Sequence, residues 1–283
     1  MFNMEKYKDS GLEFIKIKNN VGLEVTFCTL GASIFEIEFL GEKMTNNPKN
    51  PQDFLRKNVY HGKTIGRVAG RIKGNKLTLN NTEYTLANNE GENVLHGGNG
   101  AISERVFDLK VKSESDFTEL LFSYLSKDGE AGFPGDALFE IRYTIPNDKA
   151  EIKVQLSCKV NKDCPISLTN HSYFCLGDPN INNLSLQMNV SKLVLINDKD
   201  LSIEGCAEVP SYLDFRKLKP IIKDIDAKEI NTGTLCGYDH ILLVDNNNPK
   251  ALLENDRFRL SISTDLDAIV LYTDNYEDRK SVV

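Results

Sequence analysis

Apolar and polar residues alternate with a period of two along much of this chain. The pattern is clear in residues 14–17, 23–27, 34–39, 107–111, 139–143 and 152–156. Successive side chains of an extended chain point to opposite faces, so each stretch predicts a strand with one dry face. Between these stretches stand clusters of Asn, Asp, Gly and Pro, among them Asn80-Asn81, Asp128-Gly129, Asn182-Asn183 and residues 245–249. Such residues supply the backbone angles and local hydrogen bonds of tight turns. Helical periodicity is nearly absent, and only residues 53–56 and 221–229 offer a short helical turn. The pattern predicts an all-β protein, a large β-sandwich of twisted antiparallel sheets. No repeat of fixed period, low-complexity tract or Pro/Ser-rich linker interrupts it, so a single domain over residues 1–283 is expected.

Composition narrows what such a sandwich does. With 34 Lys+Arg against 41 Asp+Glu, a net charge of -7 and 40% hydrophobic residues, the chain can fill a core and lacks the basic footprint of a protein that tracks phosphates. Disorder is excluded as the main state, and nucleic acid is not an expected partner. No stretch approaches the ~18 consecutive apolar residues of a membrane helix, and residues 241–244 and 268–271 read instead as buried strands. The first residues, MFNMEKYKDSGLEF, contain no apolar core of a signal peptide, so a soluble cytoplasmic chain is expected. The six cysteines (28, 158, 164, 175, 206, 236) include no C-x-x-C pair and lie mostly in apolar runs, which reads as buried, reduced thiols.

Four segments place polar groups where the strand pattern has no use for them. The first, residues 62–72 (GKTIGRVAGRI), has glycines that permit close backbone approach. Its Arg67 and Arg71 offer guanidinium forks to hydroxyls or a carboxylate. It lacks P-loop spacing and a βαβ setting, so it is not a nucleotide loop. In the second, residues 88–98, His96 follows two apolar residues and precedes Gly97 and Gly98, which leaves its ring reachable from one side. The third, residues 166–174, sets Asn170, His171, Ser172 and Tyr173 inside an apolar strand, with Asn170 and Ser172 on one face and His171 and Tyr173 on the other. In the fourth, residues 236–242, Asp239 stands at the mouth of an apolar strand, where a carboxylate can accept two hydroxyl hydrogen bonds. No two of the four histidines have metal-ligand spacing, and no metal is expected. A Ser172–His96–Asp239 triad can be drawn, but Gly-x-Ser-x-Gly is absent and the strand pattern is wrong for that chemistry.

In order and spacing, these segments resemble the aldose 1-epimerase (galactose mutarotase) family. The resemblance rests on GKTIGRVAGRI (62–72), NVLHGG (93–98), the GFPG of residues 132–135 after Asp128-Gly129-Glu130, TNHSYF (169–174) and GYDH (237–240). It implies one large β-sandwich and the interconversion of α and β anomers of a free hexose such as galactose or glucose, without a cofactor. In that reaction a base takes the proton of the anomeric hydroxyl while an acid protonates the ring oxygen. The C1–O5 bond opens, C1–C2 rotates, and the reverse steps close the other face. The resemblance makes His171 the acid. It has His96 donate to the sugar beside the ring oxygen, and it assigns Arg71, Asp239 and Asn170 to substrate binding.

The family's base is a Glu in a strand beyond the segment matching Tyr272-Thr273, and no Glu of this sequence, which ends at Val283, occupies that position. The domain is therefore expected to lack its C-terminal strands here, and a 283-residue polypeptide to turn over near background. Two other functions remain open at this point. One is a sugar-binding or regulatory module without turnover. The other is an epimerase for a phosphorylated hexose, for which Lys63, Arg67 and Arg71 are the local cations.

Overall fold

The computed structural model describes residues 3–9, 11–48, 51–57, 59–197, 203–227 and 237–275. Nearly all regular structure is strand, and the described helical pieces are 3-10 turns of three or four residues. Among the described residues no helix is long and apolar enough to cross a membrane. The chain groups into two compact units, residues 1–42 with 47–172, and residues 43–46 with 173–283.

The first unit is built on two antiparallel sheets. Asn3–Asp9, Leu12–Lys18, Leu23–Cys28 and Ser33–Phe39 pair in chain order. So do Asp108–Ser113, Phe117–Ser126, Ala137–Pro146 and Lys153–Val160. Ala137–Pro146 keeps strict alternation, burying Ala137, Phe139, Ile141, Tyr143 and Ile145. Phe27 of the first sheet meets Tyr143 and Phe122 of the second at ring distances of 4.8 and 6.3 Å, and the Tyr143 hydroxyl donates to Ala32 O at 2.7 Å. This is the expected sandwich. Burying three such aromatic rings contributes roughly 1.5–3 kcal/mol each. One strand departs from the single dry face, because Phe14 and its neighbour Ile15 are both fully buried. Phe14 packs with Leu12, Cys28, Leu30 and Phe54 on a second layer outside the sandwich.

In the second unit, two four-stranded sheets run in the orders Lys219–Pro220, Ser185–Met188, Ala251–Glu254, Arg259–Ile262 and Ile203–Ala207, Val190–Ile196, Asp239–Val244, Ala268–Tyr272. Residues 241–244 and 268–271 are strands as expected, but they are not buried throughout, and Val270 is exposed.

Local expectations are met in part. Residues 53–55 and 221–224 form 3-10 turns; 228–229 lie outside the described residues. Asn182-Asn183 belongs to a 3-10 turn, Ile181–Asn183. Cys28 is buried, Cys158, Cys164 and Cys175 are half-buried, and Cys206 is exposed on a strand that faces solvent; Cys236 lies outside the described residues.

The strand expected through residues 166–174 is only Thr169–Asn170. The Asn170 side chain accepts from the Ser172 backbone N–H at 3.1 Å, a local bond that turns the chain out of the ladder. The alternation read across Asn170 to Tyr173 therefore does not apply.

Candidate active site

Two very short ladders set the site in the first unit. Arg71–Ile72 pairs with Val94–Leu95, placing Arg71 opposite Leu95. Thr64–Ile65 pairs with Thr169–Asn170, placing Thr64 opposite Asn170. Each ladder stops one residue before a histidine, His96 in one case and His171 in the other. Their imidazoles meet edge to face at 5.3 Å between centroids. The Tyr60 ring lies against both, 4.8 Å from His96 and 5.8 Å from His171.

His96 leaves its ladder with φ +54°, an angle a residue with a Cβ seldom takes and one that costs about 1–3 kcal/mol. Two bonds to Gly70 hold it there. The His96 N–H donates to Gly70 O at 2.9 Å, and the Gly70 N–H donates to His96 Nδ1 at 3.1 Å. Burial, then electrostatic interaction with His171 and with Arg71, pushes His96 down to about 3, so the ring is neutral at physiological pH. With Nδ1 accepting, the proton of the neutral ring sits on Nε2. His96 is thereby a hydrogen-bond donor in a fixed tautomer. Gly97 follows at φ +92°, where an added Cβ would run into the Gly66 carbonyl. Gly97, expected only to leave the His96 ring reachable, is thus required on steric grounds.

The half-buried His171 is fixed through its backbone. Its N–H donates to Lys63 O at 2.9 Å and its carbonyl accepts from Gly62 N–H at 2.8 Å. Asn170 reinforces that grip, with Nδ2 donating to Gly62 O at 2.9 Å while Oδ1 accepts from both the backbone and the hydroxyl of Ser172.

The two arginines of the first segment have opposite fates. Arg67 is buried and donates to Pro134 O, Ser126 Oγ and Lys127 O, so it is a structural tie. Arg71 makes a two-pronged ion pair with Glu90, Nε to Oε2 at 2.7 Å and Nη2 to Oε1 at 2.9 Å. Lys63 is also buried, with its ammonium on Phe54 O at 2.9 Å and over the Phe54 ring; burial pulls it down to about 8. Lys63 and Arg67 are thus committed inside the fold, which removes two of the three cations a phosphorylated hexose would use.

In the second unit Asp239 opens the strand Asp239–Val244, as its position in the sequence predicts, and is exposed. The next residue, His240, is half-buried; burial lowers it to about 4.

Sequence reasoning missed Tyr60, Asn89 and Glu90. Asn89 uses its side-chain amide like a strand partner, with Oδ1 accepting from Leu95 N–H at 2.7 Å and Nδ2 donating to Leu95 O at 3.0 Å. Nδ2 also reaches the Tyr60 hydroxyl at 3.4 Å. The available signal was the polar run Asn88-Asn89-Glu90 ahead of a glycine, two ladder residues and a histidine.

Comparison with known proteins agrees with this arrangement. The model of the aldose 1-epimerase family matches residues 13–282. The aldose 1-epimerase of Escherichia coli K12 is 26% identical over 276 residues, 93% of this chain and 78% of that protein. The galactose mutarotase of Sus scrofa is 30% identical over 236 residues, 80% of this chain and 66% of that protein. Among solved structures, galactose 1-epimerase from Lactobacillus acidophilus superposes with a TM-score of 0.87 at 28% identity, covering 98% of this chain and 83% of that one.

Proposed function

We propose, given that the chain belongs to the aldose 1-epimerase family, that its two facing histidines divide the work at the ring oxygen of a free hexose. The chain is an isomerase that interconverts the anomers of a sugar. In our reading the substrate is galactose or glucose in the cytoplasm, and His171 is the acid that protonates the ring oxygen as the C1–O5 bond opens. His96 cannot do this, because a ring held neutral carries no proton acidic enough to give up at pH 7. Its Nε2–H instead donates to the oxygen that gains charge, a donor set in place before the reaction starts. Arg71 and Asp239 hold hydroxyls. Asn170 acts through His171, by bracing the backbone on both sides of it.

The observation that carries this reading is the pair of imidazoles 5.3 Å apart, one kept neutral by burial and fixed in its tautomer by the bond from Gly70. Polarimetry on freshly dissolved α-galactose tests it; a full-length gene product that leaves the rotation decaying at the uncatalysed rate would overturn it. Galactose 6-phosphate is expected to be a much poorer substrate, given the commitments of Lys63 and Arg67. Asp239→Ala should lower galactose affinity or turnover by roughly ten- to a hundredfold, the value of a hydrogen bond to a charged group. The exposed position of Asp239 at a strand end predicts an unchanged unfolding midpoint. An unfolded variant would make Asp239 structural.

A further inference from the structure

The Arg71–Glu90 ion pair is an odd investment for stability. Both side chains are partly exposed, at 26% and 32%, and ion pairs in such positions contribute little to stability. Its geometry is nonetheless the demanding one, with two parallel N–H···O bonds that fix both the position and the plane of the guanidinium. The carboxylate comes from the turn that also carries Asn89, and Asn89 grips Leu95 by both backbone groups. Leu95 in turn lies directly opposite Arg71 in their two-residue ladder. Glu90, Arg71 and Leu95 thus close a small ring of contacts in which the arginine is held by its backbone on one side and its side-chain fork on the other.

We propose that Glu90 is a positioning residue, which grips the Nε/Nη2 edge of the Arg71 guanidinium and so orients the opposite edge of the group toward a sugar hydroxyl without its first having to be ordered. This inference rests on the epimerase reading of the site. An arginine side chain has many rotamers, and a ligand that must freeze it into one binds correspondingly less well. Glu90 removes that cost in advance. It touches no substrate in this account, and its whole effect passes through Arg71.

A double-mutant cycle separates this from a structural role. Galactose affinity is measured by calorimetry, and kcat/KM by polarimetry, for the full-length wild type, Glu90→Gln, Arg71→Ala and the double variant. Glu90→Gln keeps the size of the side chain but replaces one of the two acceptor oxygens with an NH2 donor, so the two-oxygen fork-to-fork geometry is lost. It should weaken galactose binding roughly tenfold, within the usual range of coupling between contacting residues. Its unfolding midpoint should stay within about 3 °C of the wild type, as a partly exposed ion pair allows. In the Arg71→Ala background Glu90→Gln should have no further effect. If Glu90→Gln does not fold, Glu90→Asp is run through the same cycle with the same expectation of coupling. Unchanged affinity in the single Glu90 variant, or effects that multiply in the double variant, would overturn the positioning role alone. A wild type that neither binds galactose nor accelerates mutarotation would overturn the epimerase reading, and this inference with it.

Discussion

His171→Ala in the full-length protein is expected to slow mutarotation by ~10²-fold or more, the usual scale of a general acid. The reasoning starts at the backbone. His171 is anchored by its own N–H on Lys63 O and by its carbonyl on Gly62 N–H, with Asn170 adding two further ties beside it. None of these bonds involves the imidazole, so they are kept when the ring is removed. His96 keeps both of its bonds to Gly70, and the Arg71–Glu90 pair is untouched. Sugar binding should therefore survive while turnover falls, which polarimetry and calorimetry on the same sample separate. Turnover within a fewfold of wild type would mean that another group protonates the ring oxygen. Loss of affinity in step with turnover would make His171 a binding residue. The companion variant His171→Gln retains a donor without an ionisable proton and is expected to be as slow as the alanine.

The fold was legible where one period dominated. Residues 139–143 alternate in the sequence and bury Phe139, Ile141 and Tyr143 in the structure, because that strand has a sheet on one side only. At Phe14 and Ile15 the same rule gave half the answer. A second apolar layer around Phe54 covers the outer face, and nothing local to the strand announces it.

Site residues were legible as types but not as roles. Arg67 and Arg71 are four residues apart in one segment, and only partners far away in the chain separate them. Arg67 is claimed by Ser126 and Pro134, 59 and 67 positions on, and Arg71 by Glu90, 19 positions on. The resemblance assigns Asn170 to substrate binding, and the structure turns its amide onto Gly62 and Ser172, partners that the sequence does not announce. Tyr60 carried no signal at all. It lies in a stretch without periodicity, and its importance comes from packing against two rings that the chain reaches 36 and 111 residues later.

Acid should destabilise this protein partly through His96, and the sign follows from its depressed proton affinity. In the unfolded chain an imidazole takes up a proton near pH 6.5, whereas folded His96 resists protonation down to about pH 3 and His240 down to about pH 4. Between those limits the unfolded state binds more protons, so stability rises with pH up to about 6.5 and is level above it as far as these groups are concerned. Each pH unit below 6.5 costs about 1.4 kcal/mol per histidine, so His96 alone accounts for roughly 2–3 kcal/mol at pH 4.5. Carboxylates titrate over the same range, and for that reason the test is a difference. Urea unfolding of wild type and His96→Gln is compared at pH 7.0 and 4.5, since Gln can keep the bond from the Gly70 N–H and has no proton to gain. The variant is expected to lose roughly 2 kcal/mol less than wild type on acidification, whatever its stability at neutral pH. Equal losses would show that His96 is protonated in the folded protein as easily as in the unfolded one. The neutral donor assigned to it at the sugar ring would then have to be given up. By the same argument His96 contributes no inflection to the pH dependence of kcat/KM between pH 5 and 8, so an acid limb in that range must come from another group.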